Sequence, residues 1–230
     1  MAGGSAASAD GSPTRNLVTR LATAAVLLPV LLAGVWAGQP WFTALVLVVA
    51  LGAGWEFTRI AAAAGAGRRA LTLAAWVFGG ALYIGIPLRY FLELRALPDG
   101  VAWVLLALLA TFANDTAAYA VGRVLGRHPM VPTISPGKTW EGAAGGLTAA
   151  AVTCAVLAVL FGLPDGPWVG FGLGLGLAAQ AGDLLESSLK RRAGVKDASG
   201  LVPGHGGILD RLDSLVFVAP LVYHYSQWLT

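Results

Sequence analysis

Seven apolar runs, each near the roughly 20 residues an α-helix needs to cross a bilayer, dictate what this chain can fold into. They fall near 17–38, 41–60, 70–88, 101–121, 142–163, 168–188 and 207–228. In hydrocarbon every backbone N–H and C=O must be satisfied within its own segment, so each run is predicted to be a helix. Of the 230 residues 57% are hydrophobic and only 12% charged, against about 25% charged in an ordinary soluble domain. A water-soluble chain of this length could not cover so much apolar surface. The expected fold class is all-α, a polytopic integral membrane helical bundle of about seven transmembrane helices. The 31 glycines suit close helix approach in lipid. Pro29 and Pro220 fall inside spans, where neighbouring helices can satisfy the freed carbonyls. Residues 1–14 read as a disordered tail and 15–230 as a single transmembrane catalytic domain. Arg15 and Arg20 before an apolar run also resemble the start of a cleaved signal peptide. That run is long enough to span, however, and a second span follows at once.

The lone Cys154 excludes an intrachain disulfide and gives no hint of a thiol-ligated metal. A net charge of +3 is too small to argue for nucleic acid. The loops sort strongly by charge. With the N-terminus in the cytoplasm, twelve bases from Arg15 to Lys196 lie on one side and only Arg89 and Arg95 on the other. The positive-inside rule then predicts a multi-pass protein of the cell inner (plasma) membrane, with a cytoplasmic N-terminus and an external C-terminus.

The stretch from Asp183 to Ser214 holds ten of the chain's 27 charged residues (15 basic, 12 acidic). Charges at the edges of membrane-length segments are costly, so this is where function is expected. Glu56, Asp115, Asp183, Asp210 and Asp213 all fall near the same ends of four spans, with Asp115 about 9 Å from its end at 1.5 Å per residue. A shared, water-filled cavity open to the cytoplasm is the economical reading. Asp183 and Glu186 are three residues apart, as are Asp210 and Asp213, so each pair faces one way on a helix. Carboxylates facing each other repel unless a cation lies between them, and hard oxygen donors suit Mg²⁺. Lys190, Arg191, Arg192, Lys196 and Arg211 are then available for phosphate charge. The run Gly204-His205-Gly206-Gly207 lets backbone approach a ligand closely. His205 either orients a phosphate, transfers a proton or is a loop residue without a role.

The segment from Gly122 to Glu141 reads as a loop, because prolines at 129, 132 and 136 exclude one continuous helix. Gly137-Lys138-Thr139 invites comparison with a phosphate-binding loop, but Pro132 stands where that motif needs glycine, and no strand is predicted before it. Lys138 and Thr139 either bind phosphate at a helix N-terminus or simply cap that helix. Two functional classes stay open on the residues alone. One is phosphate chemistry on a lipid; the other is a secondary transporter, although transporters tend to place acids at the midplane and to show internal repeats.

Ser188-Leu189-Lys190-Arg191, Lys196-Asp197, Pro203-Gly204-His205-Gly206-Gly207 and Asp210-Arg211-Leu212-Asp213 together resemble the signature of the CDP-diacylglycerol synthases, or phosphatidate cytidylyltransferases. Asn114-Asp115-Thr116-Ala117-Ala118-Tyr119 with Gly122-Arg123, and Ser135-Pro136-Gly137-Lys138-Thr139-Trp140-Glu141-Gly142, are similar to two further segments of that family. The start from Arg20 to Pro29 and the pair Glu56-Phe57 extend the resemblance over most of 15–230. It implies Mg²⁺-dependent conversion of CTP and phosphatidate to CDP-diacylglycerol and pyrophosphate, in phospholipid biosynthesis. It implies that Asp183 and Asp210 hold the metal, and that Asp213 binds it directly or supports it. With these, Lys190 and Lys196 form the expected catalytic set. Asp115, Lys138, Thr139, Ser188, Arg191, Asp197, His205 and Arg211 are the expected substrate-binding set. A homodimer is also implied. The motifs of the CDP-alcohol phosphotransferases, another class of lipid enzymes, are absent.

Overall fold

The computed structural model describes residues 13–229 except Lys196 and His205. Six long helices carry the bundle: α1 (Pro13–Ala37), α2 (Trp41–Ala63), α3 (Ala70–Ala96), α4 (Gly100–Leu125), α5 (Trp140–Phe161) and α6 (Trp168–Arg192). A short α7 (Leu209–Leu212) and α8 (Leu215–Leu229) complete it. Helices α1 to α5 are each long and apolar enough to cross a membrane, so the chain is a multi-pass membrane protein. Their outer faces carry bare Leu, Val and Trp side chains, as lipid contact requires.

Helix α4 lies at the centre and packs on α3, α5, α6 and α8, while α1 is peripheral. Trp103, Leu106, Leu175, Val218 and Val222 fill the space between them. At one end of the bundle an aromatic cluster joins α4, α6 and α8, with the rings of Phe171 and Tyr225 stacked at 3.8 Å. Further along, an amide clamp crosses the interior. Gln180 on α6 donates to Asn114 Oδ1 on α4 at 3.1 Å and to the Ala143 carbonyl on α5 at 3.0 Å. Asn114 is wholly buried, so its carbonyl needs that donor, and an interhelical bond of this kind in lipid contributes about 1 kcal/mol.

The structure corrects the predicted spans in two ways. Helices α3, α4 and α6 run several residues past their apolar stretches, because polar side chains one turn apart support the extra turns. Arg89 pairs with Glu93 at 2.7 Å on α3, and Arg123 donates to the Tyr119 hydroxyl at 2.7 Å on α4. Hydropathy marks where the apolar run stops, not where the helix does. The predicted seventh span is also not one helix. It breaks at Asp213–Ser214, where the Asp213 carboxylate accepts the Ser214 N–H at 2.7 Å.

The segment read as a strandless loop contains a small antiparallel pair, β1 (Pro129–Val131) and β2 (Ser135–Thr139). Gly137, Lys138 and Thr139 lie on β2 itself. Prolines are tolerated here because a two-stranded ribbon is all edge. The Glu141 carboxylate closes the root of the hairpin by accepting the backbone N–H groups of Arg127 and His128.

The break before α8 packs closely against α6. A Cβ on Gly182 would lie 2.2 Å from the Asp213 carbonyl oxygen. Gly182→Ala is therefore expected to cost about 1–3 kcal/mol, through overpacking against rigid backbone. Gly174→Ala on the same helix, where an added Cβ meets nothing, should stay within about 0.5 kcal/mol of the parent. Unfolding of both variants in detergent checks the difference.

Candidate active site

Helical spacing sets out the first part of the site. Asp183, Glu186, Ser187 and Lys190 lie at i, i+3, i+4 and i+7 on α6 and so share one face. The Ser187 hydroxyl donates to Asp183 Oδ1 at 3.2 Å, and Lys190 Nζ contacts Glu186 Oε2 at 2.9 Å. Two other elements reach onto this face. From β2, Lys138 Nζ meets Asp183 Oδ2 at 2.6 Å. From α7, Asp210 Oδ1 accepts from Lys190 Nζ at 2.6 Å. Lys190 therefore bridges two carboxylates on different elements. Its side chain is only 11% exposed and that of Glu186 1%, so the charges are largely withdrawn from water.

Asp210 is anchored further by the Gly207 N–H at 2.7 Å and the Ala198 N–H at 3.3 Å. Asp213, at the break before α8, is in electrostatic range of Asp183, Asp115 and Glu186. Asp115 on α4 accepts from Asn114 Nδ2 at 2.9 Å, which joins the amide clamp to the site.

The structure thus brings together Asp115, Lys138, Asp183, Lys190, Asp210 and Asp213 of the predicted set. Thr139 caps α5, its Oγ1 accepting the Gly142 N–H at 3.1 Å. Ser188 donates back to the Leu185 carbonyl at 2.7 Å, within its own helix. Arg191 Nε donates to the Ile134 carbonyl at 3.1 Å and so ties the hairpin turn to α6. Asp197 and Arg211 are exposed at the rim. Lys196 and His205 lie outside the described residues.

Sequence reasoning left Glu186 and Glu56 out of the site. Glu186 already stood beside Asp183 as a pair and one turn before Lys190, but nothing in the spacing showed that Lys190 also reaches Asp210. Glu56 on α2 is wholly buried against the loop after α6. Its signal was an acid near the end of an apolar span, at the depth of the others. Asn114 and Gln180 carried no distinct signal.

Among the described residues, no three His, Cys, Asp or Glu side chains converge into a ready-made metal cage. Mg²⁺ does not require one, since it commonly takes one or two carboxylates and completes its shell with water and phosphate oxygens. The hard oxygens of Asp183 and Asp210 fit that demand. So does Glu186 Oε1, a buried oxygen without a hydrogen-bond partner among the described residues.

The chain matches the cytidylyltransferase family over residues 18–83 and 77–229. It is 43% identical over 147 residues to a phosphatidate cytidylyltransferase of Bacillus subtilis (strain 168), covering 62% of this chain and 54% of that protein. It is 34% identical over 235 residues to one from Mycobacterium bovis (strain ATCC BAA-935 / AF2122/97), covering 88% of this chain and 72% of the relative. A third, from Staphylococcus aureus (strain COL), is 41% identical over 151 residues, or 65% of this chain and 57% of that protein. The chain thus spans little more than half the length of the Bacillus and Staphylococcus relatives.

Lys190 and Lys138 should differ sharply when neutralised. Lys190→Met leaves Glu186 and Asp210 without their shared cation, and breaking a buried pair costs about 3 kcal/mol or more. Lys138→Met frees only Asp183, whose side chain is 32% exposed, and should cost about 1 kcal/mol or less. Denaturation of both variants in the same detergent measures the gap.

Proposed function

The chain belongs to the cytidylyltransferase family, and from that premise we propose that it transfers the cytidylyl group of CTP to phosphatidate, giving CDP-diacylglycerol and pyrophosphate. The observation that carries this reading is the array Lys138–Asp183 and Glu186–Lys190–Asp210, at one end of a membrane-embedded bundle. An oxygen of the lipid phosphate attacks the α-phosphorus of CTP. One P–O bond forms there, the α–β bond breaks, and pyrophosphate departs. The reaction needs no protein nucleophile. It needs positioning and charge neutralisation, because two polyanions must meet.

The chain's own residues serve both ends. Lys138 and Lys190 are held in place by carboxylates, and each ammonium can turn from its carboxylate to a phosphate as substrate enters. Arg191, fixed to the hairpin through Ile134, adds charge at the rim. Asp183 and Asp210 would hold Mg²⁺, with Asp213 alongside. When bound, the ion would neutralise phosphate charge and fix the reacting groups in line. Five carboxylates (Asp115, Asp183, Glu186, Asp210 and Asp213) face two lysines here, and that excess of acid supports a cation requirement. The loop bases support a cytoplasmic site, where CTP is available.

Purified protein in detergent should turn over phosphatidate with CTP, and not with ATP, GTP or UTP, releasing pyrophosphate in an Mg²⁺-dependent manner. Asp183→Asn and Asp210→Asn keep the shape but weaken an oxygen donor, and each should lower the rate about a hundredfold, or ~3 kcal/mol. The double variant should lose far less than the sum, because both residues serve one function. Solute uptake into liposomes without CTP turnover would replace this reading with the transporter.

Orientation is tested separately. Gly200 lies in the loop after α6, and a side chain there meets no neighbour. Gly200→Cys, with Cys154 replaced by alanine, should resist an impermeant thiol reagent in intact cells and react after lysis. Labelling from outside would put the site on the wrong side for CTP.

A further inference from the structure

Among the described residues, Glu56 is the one wholly buried acid that the proposed chemistry does not use. Its Oε1 accepts the Ile208 N–H at 3.0 Å and also the Ser199 hydroxyl, while Oε2 accepts the Leu209 N–H at 2.7 Å. Asp210 takes its backbone donors from Ala198 and Gly207. The donors of the two carboxylates are therefore sequence neighbours. Residues 198 and 199 stand at one end of the loop, and 207, 208 and 209 at the other. Glu56 and Asp210 clasp the same two loop ends between them. The fit is close: a Cβ on Gly207 would lie 2.6 and 2.7 Å from the Glu56 oxygens.

We propose that Glu56 is a positioning residue that acts through Asp210. Its three bonds hold both ends of the 198–209 loop without any help from Asp210. Asp210 can then exchange a partner as substrate charge enters, while the loop stays in register. Without Glu56, Asp210 has to hold the two ends through its own bonds to Ala198 and Gly207, and its oxygens are committed to that task. A buried carboxylate that merely stabilised the bundle would have no reason to share a loop with a site residue, donor beside donor. A carboxylate suits the task because all three groups converging on it are donors. Glutamine would turn an NH₂ toward one of them and leave that donor unpaired. The inference rests on the reaction proposed above, since it assigns Asp210 a working role.

The test combines hydrogen–deuterium exchange with steady-state kinetics on CTP and phosphatidate, using the full chain in detergent. In Glu56→Gln, exchange across 197–212 should rise at least about tenfold while α5 keeps its parent rates. Its kcat should fall about thirtyfold, with KM for CTP changing less than about threefold. Glu56→Asp keeps the charge but is one methylene too short to reach the loop, and should not rescue. Parent kcat with parent exchange in Glu56→Gln overturns the proposal. A uniform rise in exchange over all helices, with kcat falling only as the folded fraction falls, overturns it too. Should Glu56→Gln fail to fold, Ser199→Ala removes one of the three bonds. Faster exchange confined to the loop and a kcat about threefold lower are then expected, and parent values for both overturn the idea. Failure of the reaction itself reads out differently: the parent protein would then not turn over CTP, whatever the loop amides do.

Discussion

Lys190 is the residue on which the polar half of this bundle depends. It rises from α6 into a nearly dry setting and is shared by Glu186 of its own helix and Asp210 of α7. Two carboxylates so close and so buried would otherwise repel each other and resist ionisation. One ammonium between them joins α6 to the start of the broken last span. It also fixes the distance between those two acids. The site and the packing of α6 against the α7–α8 region are thus one problem in electrostatics, solved by one cation.

Support for that arrangement comes from helices that carry no part of the motif-bearing segment. Asn114 and Gln180 lock α4, α5 and α6 at the depth of Asp115, so the central helix presents its acid to the site at a fixed height. Glu56 on α2 holds the same two loop ends, at residues next to the Asp210 donors. Arg191 ties the β-hairpin to α6, and with it the strand from which Lys138 reaches Asp183. Each contact is modest in energy. Together they position charged groups from β2, α4, α6 and α7 without any of them needing to be rigid alone.

The opposite end of the bundle is built differently. There Trp103, Trp168, Phe171 and Tyr225 pack ring against ring, and the helices are joined by aromatic area rather than charge. A bundle closed by aromatics at one end and divided by buried charge at the other has a built-in polarity, and the polar end is where the reaction proposed above would take place.

The sequence by itself determined the class of fold, the rough position of the spans and the segment in which charge is concentrated. Apolar length and charge scarcity act locally, so they are legible without coordinates. The i, i+3 and i+4 relations among Asp183, Glu186 and Lys190 are equally local, and so the α6 face was readable. Tertiary structure alone decided which charges meet. Lys138 reaches Asp183 across 45 residues, Lys190 reaches Asp210 across 20, and Glu56 finds the loop more than 140 residues away. Those pairings follow from how helices stack, and stacking depends on small contacts such as Gly182 against the Asp213 carbonyl, at the break in the last span. The same spacing of residues permits many stackings, and only the assembled core, with the cost of leaving any buried charge unpaired, selects this one.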